Sequence, residues 1–347
     1  MIVLRRLLVA GLALSPATLA FHWLASPSPT TEFVLAAVAL VPLAWLIGEA
    51  TEHAADHTGP GIGGFLNATF GNAPELIIAL IALNRGLDDV VRGSLVGSVV
   101  GNLLLVLGFS LIAGRDAELD RFSTMVSLGL VGAAIALFVV PSIAGWHGDP
   151  NRHSLAVAAL PVAAALLALY VVATWRSLRR HRDLHLGEDD ALTGWSLPAS
   201  LGALAAATVA TALVAEVLVG SLEGFAARAG LSDFFVAAVI VAIVGNAAEH
   251  GGAVVVAHRG KVKLAVEIAL SSSAQVAVFL IPAVVVASFA IHPLPLSFRP
   301  IELAALGGSL IAAGLALAAG RSSRSRGVLL VVAYAAVAVA FLAAGDR

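Results

Sequence analysis

Two short stretches of this chain repeat one pattern of chemistry-bearing residues. Gly71-Asn72-Ala73-Pro74-Glu75 and Gly245-Asn246-Ala247-Ala248-Glu249 each place Gly-Asn three residues ahead of a glutamate. Each lies inside a long apolar run. A carboxylate at membrane depth is costly and marks an ion or proton pathway more often than a structural role. Gly weakens a helix by about 1 kcal/mol relative to Ala, and the Asn side chain competes for backbone hydrogen bonds. Pro74 suits the first turn of a new helix. The expectation is a helix break at Gly71 and at Gly245, with freed carbonyls facing a cavity and Glu75 and Glu249 opening the next half-helices, where the helix dipole favours a negative charge. Ala248 stands where Pro74 does, so the second break has the weaker sequence signal.

Two carboxylates, the side-chain oxygens of Asn72 and Asn246, and freed carbonyls are all hard oxygen donors. Ca²⁺ takes six to eight such ligands. With no cysteine in the chain, thiolate metal sites and disulfides are excluded. Glutamates sharing one site do not ionise together easily when it is empty. Protons and a divalent cation then compete, and one divalent ion or two protons balance the pair. His250 follows Glu249 directly and points elsewhere on the helix. It is either a group that titrates and modulates transport or a packed histidine. His53 and His57 are four apart, with no third ligand evident, and read as a solvated helix end.

The elements that must position these groups are membrane helices. Of 347 residues, 59% are hydrophobic and 12% charged, with a mean hydropathy of +0.96. A soluble domain has about 25% charged residues. Eleven apolar runs of helical length are expected, at about 3–25, 33–53, 62–84, 91–113, 122–144, 153–175, 196–222, 233–257, 263–290, 300–320 and 326–344. The first, after Arg5 and Arg6, has the look of a signal peptide but is long enough to span, and is read as a retained helix. Placing the N-terminus in the cytoplasm puts 14 of the 20 Lys and Arg on that side and six on the other, as the positive-inside rule requires.

The polar stretch after Arg176 divides the chain. The organisation expected is an N-terminal helix (1–30), a five-helix repeat (31–176), a polar and acidic linker (177–195) with Asp183, Glu188, Asp189 and Asp190, and a second five-helix repeat (196–347). An odd number of helices per repeat inverts the second relative to the first. Both Gly-Asn-Ala-x-Glu motifs fall in the second helix of their repeat.

The run Gly63 to Ile77 resembles the first signature of the calcium/proton antiporters of the calcium/cation antiporter superfamily. Val244 to His250 is similar to the second. Gly97 to Gly108 and Ser271 to Phe279 are similar to the helices that follow. The resemblance covers about Leu40 to Val286. It implies an eleven-helix antiporter with paired glutamates at Glu75 and Glu249, which would hold Ca²⁺ as the metal, and motif asparagines at Asn72 and Asn246. It implies further polar residues at Ser98, Asn102, Ser272 and Gln275. Asn102 and Gln275 are read as ligands or as interhelical hydrogen-bonding groups. Thr51-Glu52 and Ala215-Glu216 are similar to acidic family elements, and Glu52 and Glu216 are read as entry-path or proton-relay carboxylates. His53 stands where the family has a second glutamate.

The function expected is exchange of Ca²⁺, or a related cation, for protons. The alternative is Na⁺(K⁺)/H⁺ or Na⁺/Ca²⁺ exchange within the same superfamily. No nucleophile–base set or His-Glu-x-x-His motif points to an enzyme. No cofactor and no nucleic acid are expected. The partners are Ca²⁺, H⁺ and the lipid bilayer, with a homo-oligomer left open. Short loops favour a bacterial cytoplasmic membrane.

Overall fold

The apolar runs all become helix. The computed structural model describes residues 2–25, 27–147, 153–182 and 194–346. The linker acids Asp183, Glu188, Asp189 and Asp190 lie outside the described residues, as do Arg152 and Arg347. The helices are α1 (Ile2–Gly11), α2 (Leu14–Ala25), α3 (Pro29–Phe70), α4 (Ala73–Asn84), α5 (Asp88–Val100), α6 (Leu107–Ala113), α7 (Arg121–Gly145), α8 (His153–Arg182), α9 (Leu197–Ala229), α10 (Asp233–Phe235), α11 (Ala242–Gly245), α12 (Ala247–His258), α13 (Val262–Gln275), α14 (Ile281–Ser288), α15 (Pro300–Leu317) and α16 (Arg324–Ala344). Among the described residues the only β pairing is the isolated bridge between Glu118 and Arg321. The protein is an all-α polytopic membrane protein.

Nine helices among the described residues are long and apolar enough to cross a membrane, and ten if the pair Asp233–Gly245 and Glu249–His258, bent by 57°, is one span. The expected count of eleven is not confirmed among the described residues. The third run, 62–84, is broken after Phe70, and α4 has only 12 residues, too few for the roughly 20 that a straight span needs.

The expected turn between the second and third runs is present. A Cβ on Gly63 would fall 2.8 Å from the Cβ of Ala55. Residues eight apart in a straight helix are about 12 Å apart. The chain is therefore turned sharply between Ala55 and Gly63.

Contacts divide the chain into two units. One comprises Met1–Ile78 and Ala168–Phe225, the other Ala79–Leu167 and Ala226–Arg347. Each takes chain from both sequence halves.

In the first unit, α1 and α2 pack on α3. Helices α3 and α9 run antiparallel. At one end Phe33 stacks on Phe225 with ring centroids 4.3 Å apart. At the other, Ile47, Ala50 and Ala73 form a buried cluster with Leu204 and Ala207. Small residues there let the backbones approach.

In the second unit, three π-helical stretches interrupt otherwise regular spans: Gly101–Val106 joins α5 to α6, Val236–Val241 joins α10 to α11, and Val276–Leu280 joins α13 to α14. Helix α5 crosses the α10–α11 span backbone to backbone: a Cβ on Gly97 would lie 2.0 Å from the Ala238 carbonyl oxygen. Only glycine fits that crossing. Helix α7 is capped by Asp120, whose carboxylate accepts from the amides of Phe122 and Ser123 at 3.0 and 3.3 Å. Those amide bonds hold its pKa below the ordinary carboxylate value.

A clamp closes one end of this unit. The Arg299 guanidinium binds Glu302 Oε1 at 2.5 Å, donates to the Gly345 carbonyl at 2.7 Å, and lies 4.1 Å from the centre of the Phe234 ring. Asp346 Oδ1 accepts from the Phe234 amide at 2.8 Å.

Candidate functional site

Both repeated motifs form broken helices. In the first unit α3 ends at Phe70, Gly71 and Asn72 form a turn, and α4 begins at Ala73. The Asn72 carbonyl accepts the first bond of α4, from the Leu76 amide at 3.0 Å. Glu75 therefore sits in the first turn of α4. Asn72 is 1% exposed and Glu75 6%. A carboxylate so placed has the free amides and positive dipole end of its half-helix nearby.

In the second unit the break recurs without a proline. Gly245 ends α11, and Asn246 leaves helical geometry at φ −92°, ψ 7°. Its carbonyl starts α12 by accepting from the His250 amide at 2.9 Å. Glu249 lies in the first turn of α12. The Gly-Asn pair alone thus suffices to break the helix.

A hydrogen-bond relay surrounds Glu249. Ser272 Oγ donates to Glu249 Oε2 at 2.5 Å, and Asn102 Nδ2 donates to Ser272 Oγ at 2.9 Å. The direction is fixed by the carboxylate, which when ionised only accepts. The Ser272 proton goes to Glu249, so Asn102 turns its amide nitrogen to the hydroxyl and its oxygen away. A second link runs from Asn246 Nδ2 to Ser98 Oγ at 2.9 Å and to the Ala242 carbonyl at 3.0 Å.

The Asn246 amide donates two bonds and the Asn102 amide one, while Asn102 Oδ1 and Asn246 Oδ1 are buried with no hydrogen-bond partner among the described residues. A buried acceptor left in this state costs about 1–3 kcal/mol. A cation in contact with these oxygens would relieve that cost.

The spacing behind this relay is repeated. Ser272 follows Glu249 by 23 residues, and Ser98 follows Glu75 by the same 23.

Other expected site residues are placed as follows. His250 lies with its ring near Gly101, whose Cβ position is 4.0 Å from His250 Cε1. Its Nε2 is buried without a hydrogen-bond partner among the described residues. Gln275 is half-buried and donates to Ser271 on its own helix at 3.4 Å. Glu52 on α3 and Glu216 on α9 are exposed.

The histidines after Glu52 differ from expectation. They are not a solvated helix end. The His53 side chain is 23% exposed and its ring lies 5.3 Å from that of Trp195. His57 Nε2 donates to the Trp195 carbonyl at 2.7 Å. Their partner is 138 residues away from His57, so no local sequence signal announces it. The π-helical turns were also missed. They cluster on the spans that carry Ser98, Asn102, Asn246 and Ser272, in keeping with their frequency at functional sites.

These broken helices and buried polar relays define a secondary transporter. The chain matches the family described as "Sodium/calcium exchanger protein" over residues 29–179 and 199–343, and it belongs to that family. It is 35% identical to the Ca²⁺/H⁺ antiporter of Synechocystis sp. over 95% of each chain. It is 37% identical to the Ca²⁺/H⁺ antiporter ChaA of Bacillus subtilis, covering 96% of this chain and 97% of that one. It is also similar to the solved structure of native YfkE, at 34% identity and a TM-score of 0.82, covering 97% of this chain and 98% of that one.

Proposed function

We propose that the protein exchanges Ca²⁺ for protons across a membrane, and that Glu75 and Glu249 take cation and protons in alternation. The observation that carries this reading is the Glu249 relay, with its carboxylate and the two buried amide oxygens of Asn102 and Asn246. Carboxylates and amide oxygens together suit a hard divalent cation. The names of the relatives support Ca²⁺ and H⁺ as the substrates.

The chain's own residues divide the work. The half-helix N-termini of α4 and α12 favour the ionised glutamates, and the carbonyl ends of α3 and α11 favour a cation. Ser98 and Ser272 orient the asparagines Asn246 and Asn102. Ca²⁺ arrives as the glutamates lose protons, and leaves as they regain them. Two glutamates balance one Ca²⁺ or two protons, so each loaded form carries a similar charge. Transport currents that reverse at a potential demanding three or more protons would rule out that stoichiometry. Glu52 and Glu216, both exposed, serve as entry-path or proton-relay groups.

The sequence halves 31–176 and 196–347 act as inverted repeats. The Lys/Arg distribution puts the N-terminus in the cytoplasm, and the short loops favour a bacterial cytoplasmic membrane.

The test is ⁴⁵Ca²⁺ uptake into proteoliposomes with an imposed pH gradient, for wild type, Glu75→Gln and Glu249→Gln. Uptake that follows the gradient and is lost in both variants supports the proposal. Gradient-coupled Na⁺ movement in its place, with Ca²⁺ inert, would substitute the alternative substrate. Activity that survives both substitutions would overturn the roles given to the glutamates.

A further inference from the structure

Trp195 stands two residues before α9, and two contacts of its own and one of Gly194 hold this segment to α3. The Trp195 carbonyl, which lies outside the helix, accepts from His57 Nε2 at 2.7 Å. Its indole lies against the His53 ring, 5.3 Å between centroids and 33° between planes. The preceding residue, Gly194, is flush on the same imidazole: a Cβ there would fall 2.4 Å from His53 Nδ1. No other residue type fits without displacing the ring.

The indole has a second set of neighbours. Together with Phe70 it packs on the buried cluster of Ile47, Ala50 and Ala73 on one side and Leu204 and Ala207 of α9 on the other. Phe70 is the last residue of α3 and Ala73 the first of α4. The two flank the Gly71-Asn72 break, and Glu75 follows Ala73 by two residues. Much of the cluster is alanine, and Phe70 and Trp195 are the large rings packed against it. Close-packed interiors pass on even small displacements.

We infer that Trp195 is a positioning residue for Glu75: it wedges the start of α9 against the His53–His57 turn of α3 and against the helix break that aims Glu75. The inference rests on the reading of Glu75 as a cation-binding carboxylate, and it adds a residue outside the polar relay. Glu52 lies next to His53, so the same wedge fixes the exposed entry carboxylate relative to the break. Ca²⁺ binding at Glu75 must then be felt at the indole, and loss of the indole must be felt in Ca²⁺ binding.

Trp195 is one of five tryptophans. The experiment replaces Trp23, Trp45, Trp146 and Trp175 by Phe, keeps Trp195 as the sole fluorophore, and verifies Ca²⁺ transport. Ca²⁺ is expected to change the Trp195 emission with the same concentration dependence as transport, and to leave it unchanged after Glu75→Gln. Trp195→Ala is expected to raise the transport KM for Ca²⁺ on the order of tenfold, with Trp195→Phe recovering most of the loss. If Trp195→Ala does not fold, His57→Ala carries the same expectation of a raised KM. Emission indifferent to Ca²⁺ in a transporting protein would overturn the inference while leaving the role of Glu75 intact. Ca²⁺ transport that persists in Glu75→Gln would instead overturn the reading on which it rests.

Discussion

Ser272 Oγ lies 2.5 Å from Glu249 Oε2 and accepts from Asn102 Nδ2. One hydroxyl thus ties the carboxylate of α12 to the amide of the α5–α6 span. Removing it strips a short hydrogen bond from Glu249 and leaves the buried Asn102 amide without its acceptor. Loss of one such partner costs about 1–3 kcal/mol, or roughly five- to a hundredfold in affinity. Ser272→Ala is expected to weaken Ca²⁺ binding in that range, and Ser272→Thr, which keeps the hydroxyl, to recover most of it. Transport KM for Ca²⁺ measures both. An unchanged KM in Ser272→Ala would remove the relay from the account.

Protons and Ca²⁺ compete for the glutamates, and the sign of the pH dependence follows. As pH falls the carboxylates gain protons and lose their attraction for the cation, so apparent Ca²⁺ affinity falls. If two protons are displaced, the logarithm of the apparent Kd should steepen towards a slope of two per pH unit on the acid side. Glu75→Gln or Glu249→Gln should flatten that slope. Titration of Ca²⁺ affinity across pH checks it.

Gly97 meets the Ala238 carbonyl so closely that a methyl group has no room. Gly97→Ala is expected to force α5 off the α10–α11 span and to destabilise the protein by about 1–3 kcal/mol. The measurement is the thermal unfolding midpoint in detergent. A wild-type midpoint would mean that the crossing yields more easily than its geometry indicates.

The clamp at Arg299 predicts an effect on stability alone. Asp346→Ala removes the acceptor for the Phe234 amide, worth about 1 kcal/mol. The unfolding midpoint should fall while the KM for Ca²⁺ stays at the wild-type value. A KM that moves would tie this end of the unit to the ion site.

Much of this was legible in the sequence. Hydropathy placed the spans because lipid demands long apolar helices. The two Gly-Asn pairs announced both breaks, including the one without proline. Other features were not legible, for distinct physical reasons. A π-helical turn changes the hydrogen-bond register while leaving composition and periodicity almost unaltered. Gly101–Val106 and Val276–Leu280 therefore read as ordinary helix. His53 and His57 looked solvated because only the fold brings Gly194 and Trp195 onto them. The relay is likewise long-range: Asn102 and Ser272 are 170 residues apart, and spacing within either motif gives no sign that they meet.

The central claim is that Ca²⁺ and protons occupy the same glutamates in turn. The most direct measurement is proton release on Ca²⁺ addition to the purified protein in weakly buffered detergent solution, followed with a pH indicator. Wild type should release protons as Ca²⁺ binds, with a yield that falls as pH rises and the glutamates deprotonate beforehand. Glu75→Gln and Glu249→Gln should release fewer. Ca²⁺ binding at wild-type affinity with no proton release, at a pH where transport is coupled to protons, would contradict the account.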